Sequence, residues 1–348
     1  MKKYRVGIIG CGRIGSLLEE DPLRGKPCTH AGAYNQHSDT DIVAGCDINK
    51  KRLEAFGKKW NVKALYEDYR DMLEKENLDI VSIATWTHLH CQMVLDTAKS
   101  GVRGIYCEKP IALNLDEADL MLETCKRYNT KLVINHERRW DPYYRKTKEL
   151  IEQGAIGELR TIVGNALSEK SPKASTDRLG GGPLFHDGTH LTDLLRYFAG
   201  EVEWVVGHEE RAYGKEFIED TAFGFIHFKN GIHSTIEGGG IRKYFNFELD
   251  IQGSEGRILI GNGTREFYKA KPSKRFSGFE ELEKIDFPIP KRLDNPYVAG
   301  VQDLLNTVNN GKDSSSSGND GKKALEIILA IYRSAEKGGR RINLPLKN

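Results

Sequence analysis

Apolar residues in the first 130 or so positions fall into short runs set apart by amphipathic stretches. "YRVGIIG", "DIVAGCD", "LDIVSIAT" and "VRGIYCE" read as strands, and "KLVIN" follows a further helix. Between them, "NKKRLEAFGKKW", "YEDYRDMLEKE" and "LHCQMVLDTAKSG" space their apolar residues as helices do. Short β-branched runs alternating with such helices predict right-handed βαβ units and a parallel sheet buried on both faces.

The pattern changes after about residue 135. A helix ("PYYRKTKELIEQG") leads through "ELRTIVGNALSE" to a glycine-led helix, "GGGPLFHDGTHLTDLLRYF". Strand candidates then follow in series: "EWVVGHEERAYG", "TAFGFIHFKNG", "IHSTIEGGG", "YFNFELDIQGS" and "GRILIG". Strands in series with few helices predict an open, mostly antiparallel sheet, and "KNG" predicts a tight hairpin. Helices in "NPYVAGVQDLLNTV" and "DGKKALEIILAIYRSAEKG" come last, separated by "DSSSSGND", which reads as a low-complexity loop without a function. At 348 residues the chain is long for one core, so two domains are expected, 1–130 and 131–348, with the C-terminal helices free to pack back on the first.

Composition narrows the function. A 39% hydrophobic and 29% charged content is that of a globular chain, and a net charge of +2 argues against nucleic acid or an anionic membrane as partner. The apolar run near the start is too short for a signal peptide and is broken by Arg13, so it reads as a first strand. Six cysteines, at 11, 28, 46, 91, 107 and 125, form no CxxC pair; free thiols and a cytoplasmic location are expected.

"GCGRIG" sets Gly10, Gly12 and Gly15 in GxGxxG spacing, with Arg13 and Ile14 between them, after a strand and at the opening of an expected helix. The first glycine allows the turn, the second lets backbone approach a pyrophosphate, and the third lets helix and strand pack. Asp47, ending the second strand, suits the two adenosine ribose hydroxyls and repels a 2′-phosphate, favouring NAD over NADP despite Lys50, Lys51 and Arg52. A helix-capping role is the bland alternative for Asp47. Its late position reflects "EEDPLRGKPCTHAGAY", which reads as an insertion looping over the cofactor or substrate. The fold class is therefore α/β: an N-terminal Rossmann domain, then an α+β domain.

Glu108, Lys109 and Pro110 ("EKP") follow one strand directly, as Thr85 and Trp86 follow another. With "CDIN", "ERRWDPYYRKTKELIEQGAIGELRTI" and "DIQGSEGRI" in the same order, the chain resembles the glucose–fructose oxidoreductase and inositol dehydrogenase family (Gfo/Idh/MocA) over nearly its full length. The resemblance implies hydride transfer between a nicotinamide and a secondary alcohol of a sugar or cyclitol, and an open sheet used for homodimer or homotetramer contacts. It implies that Lys109 lies beside the nicotinamide and the reacting oxygen, where an ammonium steadies a forming alkoxide. Family members often read Gly-Gly-Gly-x-Leu-x-Asp-x-Gly-x-His. Aligned so, His190 matches the proton-transfer histidine, His186 replaces the acid, and Asp187 stands one position on.

His190 is thus the expected base, with His186, four residues earlier on the same helical face, orienting hydroxyls or relaying the proton, and Asp187 tuning either imidazole. Asp193 reads as structural. Zinc is a competing reading of His-x-x-x-His, but no HExxH glutamate is present and no metal is expected. Arg139, Trp140 and Tyr144 are expected to line the substrate pocket, and His90, near Thr87 and His88, to touch the cofactor or pack. Two rival functions remain: an enzyme that recycles its bound cofactor through oxidation, elimination and re-reduction, and an NAD- or sugar-sensing regulator without turnover.

Overall fold

The computed structural model describes residues 3–169 and 180–346. Two compact units divide the chain: one ends at Asp141 and takes in Asp294–Lys322, while the other holds Pro142–Leu293 and resumes at Lys323.

In the first unit, β1 (Tyr4–Ile9), β2 (Thr40–Cys46), β3 (Ala64–Tyr66), β4 (Ile80–Ile83), β5 (Gly104–Cys107) and β6 (Lys131–Ile134) form one sheet in the order β3-β2-β1-β4-β5-β6. Every neighbouring pair is parallel. The order reverses between β1 and β4, which opens a crevice at the carboxyl ends of those strands. All residues of β4 and β5 are buried, as strands covered on both faces must be. The crossover helices are α1 (His30–Gln36), α2 (Lys50–Trp60), α3 (Tyr69–Lys75), α4 (Thr87–Lys99) and α5 (Leu115–Arg127). Short polar side chains start several of them: Asn49 caps α2, Asp68 caps α3 and Asn114 caps α5 by accepting from first-turn N–H groups. β6 pairs with β5, so this sheet continues past residue 130, where a domain boundary was expected.

The glycine motif does not open a continuous helix, as the sequence suggested. After Gly15 the chain makes only a 3-10 turn (Leu17–Glu20) before α1 starts at His30. The helix is interrupted rather than displaced, because His30 N–H donates to Ile14 O and Ala31 N–H to Gly15 O, both at 3.0 Å. Side chains satisfy the backbone of the excursion: Lys26 Nζ donates to Leu18 O (2.8 Å) and Asp21 O (2.7 Å), and Glu19 Oε1 accepts from Cys28 N–H (2.6 Å) and Thr29 Oγ1 (3.0 Å). This insertion reaches α2 through Trp60 Nε1–Ser16 Oγ (2.8 Å) and meets Asn295 through Pro27 O (2.8 Å).

In the second unit, α6 (Pro142–Glu152) leads to β7 (Leu159–Ser168), then α7 (Pro183–His186) and α8 (Thr189–Ala199). The strands β8 (Val202–Glu210), β9 (Thr221–Phe228), β10 (His233–Gly240), β11 (Asn246–Gly253), β12 (Gly256–Gly261), β13 (Arg265–Pro272) and β14 (Glu280–Ile285) follow. With β15 (Ile342–Asn343) they make a nine-stranded sheet in the order β14-β13-β12-β11-β7-β10-β9-β8-β15. It is antiparallel except for the parallel pair β7–β10, and the β9–β10 hairpin turns at Gly231 (φ +85°). Its central strands alternate buried and accessible residues, so one face carries the core.

α9 (Pro296–Asn310) belongs to the first unit, and the unit boundary falls within α10 (Gly318–Glu336). Val301, Leu304 and Leu305 of α9 join Val6, Ile8, Tyr106 and Trp140 in one buried cluster. "DSSSSGND" is no idle loop: Ser316 Oγ donates to Ile134 O (2.8 Å), Ile134 N–H donates to Ser316 O (3.0 Å), and Ser317 bridges to Val133, covering the β6 edge. Among the described residues, no helix is long and apolar enough to cross a membrane.

Leu304 is fully buried and lies over Gly104 of β5. Leu304→Ala is therefore expected to cost about 2–5 kcal/mol, read as a lowered urea midpoint with unchanged slope. An unchanged midpoint would remove α9 from the first core.

Candidate active site

The glycine turn sits at the end of β1. Gly10 has φ +94°, and a Cβ there would lie 2.5 Å from Ala84 O. A Cβ on Gly15 would lie 1.9 Å from Gly10 O, so both positions admit only glycine. At Gly12 the same direction is open, with Arg52 Nη1 the nearest atom at 3.9 Å, which leaves room for a phosphate against the backbone. Arg13 is exposed beside it. Asp47 is buried at the end of β2, where Oδ2 accepts Cys11 N–H (2.9 Å) and Oδ1 accepts Asn49 N–H (2.8 Å). Each oxygen keeps a second lone pair for a ribose hydroxyl. The turn and the acid thus fit a dinucleotide.

Thr85 and exposed Trp86 follow β4, and Thr87 and His88 begin α4. His90 is wholly buried; its Nδ1 lies 2.9 Å from Pro110 O and its Nε2 3.1 Å from Thr85 O. Burial pushes its pKa down, and it ties the chain past β4 to the chain past β5.

Glu108, just past β5, is buried, and His30 was missed by the sequence reading. His30 Nε2 lies 2.9 Å from Glu108 Oε1 and Nδ1 2.5 Å from Ser82 Oγ; Asn135 Nδ2 donates to the same Glu108 oxygen at 2.6 Å. Burial opposes ionisation of Glu108. The His30 imidazole, the Lys109 ammonium and the Asn135 amide outweigh it and hold the carboxyl at about 2.

Arg139 and Trp140 are both buried and take partners far along the chain. Trp140 is 2% exposed, donates from Nε1 to Asp303 Oδ2 (3.0 Å) and packs obliquely on Tyr106. Arg139 is buried, donating to Ser315 O (2.7 Å) beside Asp320 (3.4 Å). The apolar positions around "ERRWDP" serve packing, and the arginine anchors the serine segment. Tyr144 is likewise buried, on α6.

In the second unit, α7 ends at His186 and Asp187–Gly188 turn the chain before α8, so His186 and His190 do not share one helix as expected. Gly188 leaves no room for a side chain, since a Cβ would lie 2.4 Å from Leu184 O, which fixes the break. His186 and Asp187 are half-buried; His190 is buried near the start of α8, edge-on to Phe247 (6.2 Å), and Asp193 is buried a turn later. α7 seats on the glycines of β10, with Leu184 against Gly238 and Pro183 against Gly239. Glu219, another residue missed, latches the segment: its two oxygens accept Gly182 N–H (2.9 and 2.8 Å), and Tyr332 OH donates to it (2.5 Å). Among the described residues, no group of three or more His, Cys, Asp or Glu could hold a metal ion.

A glycine turn at a sheet switch point, with a buried acid at the end of the next strand, defines a dinucleotide-binding unit. The chain belongs to the Gfo/Idh/MocA oxidoreductase family: residues 4–136 match the NAD-binding Rossmann fold of that family and residues 148–344 its C-terminal alpha/beta domain. It is 28% identical over 339 residues to myo-inositol 2-dehydrogenase of Thermotoga maritima, covering 96% of each chain. It is also 28% identical over 343 residues to scyllo-inositol 2-dehydrogenase (NAD(+)) of Bacillus subtilis, covering 97% of this chain and 95% of that one. Levoglucosan dehydrogenase in complex with NADH and L-sorbose shares the fold, with a TM-score of 0.83, 22% identity and full coverage of both chains.

Burial pushes the Glu219 carboxyl up to about 7; Tyr332 and the Gly182 amide offset this in part, and Glu209 adds to it. Protonation is thus easier folded than unfolded, so stability is greatest below the ordinary carboxyl range and falls as pH rises toward about 7, by a few kcal/mol. The melting temperature of Glu219→Gln minus that of the parent is expected to rise by several degrees from pH 5 to pH 8. A flat difference would contradict a buried, reluctantly ionised carboxyl.

Proposed function

We propose that this oxidoreductase removes hydride from a ring secondary alcohol of a sugar, glycoside, sugar acid or cyclitol, with NAD as its partner. The observation that carries this reading is Lys109 at the carboxyl end of β5, beside the crevice bounded by the glycine turn and Asp47. The inositol dehydrogenases similar to it support the substrate class.

Bound NAD supplies the hydride acceptor. Lys109 donates a hydrogen bond to the substrate oxygen as charge gathers there, and His190 takes the hydroxyl proton at its imidazole. His186 and Asp187 orient neighbouring hydroxyls. Asp47 holds the adenosine ribose, and the backbone of Gly10–Gly15, with Arg13 and Ile14, follows the phosphates. Thr85, Trp86 and Glu108 border the cofactor crevice.

The protein works in the cytoplasm, which six free cysteines support, as a homodimer or homotetramer. For assembly, β8–β10 carry an aromatic patch: Trp204 stacks on His227 (4.9 Å), His227 meets His233 (4.8 Å), and Phe223 and Phe225 are exposed. Such a patch on a sheet face supports contact with a second copy.

The test is an NAD and NADP titration followed by a 340 nm screen of sugars, glycosides and cyclitols. Turnover with NAD on one ring class is expected. Lys109→Ala should lower kcat about 100–1,000-fold with the NAD Kd within threefold. Turnover within tenfold of the parent would refute the role of Lys109.

A further inference from the structure

We propose that His30 is a positioning residue for Lys109, acting through the Glu108 carboxylate; this rests on the reading of Lys109 given above. His30 is 0% exposed and comes from α1, 78 positions before the residue it binds. A carboxylate only accepts, so His30 Nε2 carries a proton toward Glu108 Oε1, and the ring is set by Ser82 Oγ at its other nitrogen. Asn135, itself fixed by Tyr106 OH (2.8 Å), donates to the same oxygen.

The second oxygen, Oε2, accepts the backbone N–H of Lys109 at 3.3 Å. On the far side, the carbonyl of Pro110 lies 2.9 Å from His90 Nδ1. Side chains from α1 and α4 therefore fix the backbone on both sides of Lys109. The His30–Glu108 contact is the charged one of the two, and His30 sits where the interrupted helix resumes: Thr29 caps α1, accepting Gly32 N–H (3.0 Å) and bonded to Glu19 of the insertion. The insertion that the sequence suggested would loop over a ligand thus carries the residue that orients Lys109.

Misplacing a reacting group by about 1 Å costs up to about 100-fold in rate. His30→Leu removes the donor, whereas His30→Gln keeps an amide able to reach Glu108. The expected result for His30→Leu is a kcat lowered about 30-fold, with KM and the NADH Kd, from fluorescence titration, within threefold. His30→Gln should stay within about fivefold of the parent, and Glu108→Gln should fall with His30→Leu. The double variant His30→Leu/Glu108→Gln should lose no more than the worse single variant, since both break one link.

Losses that multiply, or a parental kcat in His30→Leu, would overturn the proposal. If His30→Leu does not fold, Glu108→Gln against His30→Gln carries the test, and a parental kcat in Glu108→Gln overturns it. Lys109→Ala measured beside them separates the two claims. Retained turnover there sinks the reading of Lys109 itself, while lost turnover there with an unaffected His30→Leu sinks only the role of His30.

Discussion

A carboxylate held ionised out of water at the end of β5 is the constraint on which the first unit's architecture turns. Burial of such a group is tolerated only when donors and positive charge reach it from several sides. Glu108 draws these from α1, from the end of β6 and from its own neighbour Lys109. Each donor is then fixed in turn, His30 by Ser82 of β4 and Asn135 by Tyr106 of β5. β4, β5, β6 and α1 thus meet at one point, and their apolar packing and polar network specify the same arrangement. Consistency of that kind rigidifies the strand end that carries Lys109.

The interrupted helix follows from the same demand. A helix running straight on from Gly15 would carry the third residue after it where His30 now stands, as the bonds from His30 and Ala31 to Ile14 and Gly15 show. Fourteen positions lie between Gly15 and His30, so the chain had to leave the helix and return in register. Lys26 and Glu19 make that affordable by answering backbone groups that a helix would have paired. The glycine turn and the anchor of the Lys109 backbone are therefore preserved together, at the two ends of one excursion.

How much of this the sequence discloses depends on which surfaces an element faces. β1, β2, β4, β5 and β6 are buried on one or both faces, and their apolar runs were legible. β3 has three half-buried residues, and edge strand β14 and its neighbour β13 carry mostly accessible side chains, such as Lys284 against Glu266, so none shows an apolar period. The glycine motif and "EKP" were legible because backbone sterics and chemistry restrict those positions. Trp140 and Arg139 take buried partners, Asp303 and the serine segment, from some 160 to 180 positions away, and no local pattern announces them. His30 and Glu219 were invisible for the same reason, since a partner so far along the chain leaves no local pattern.

The two buried carboxylates show what decides their opposite behaviour. Both accept hydrogen bonds, and both restrain a segment that bears site residues: Glu108 the backbone of Lys109, Glu219 the backbone ahead of His186. Glu108 has an imidazole and an ammonium beside it and stays ionised down to about 2. The donors to Glu219, a backbone amide and a phenol, are neutral, and they cannot offset burial, so its carboxyl rises to about 7. Hydrogen-bond count alone would have ranked them alike. What separates them is their surroundings: the His30 contact and the nearby Lys109 ammonium hold the Glu108 carboxyl down, whereas Glu219 has neutral donors and the Glu209 carboxylate near it, so burial prevails there.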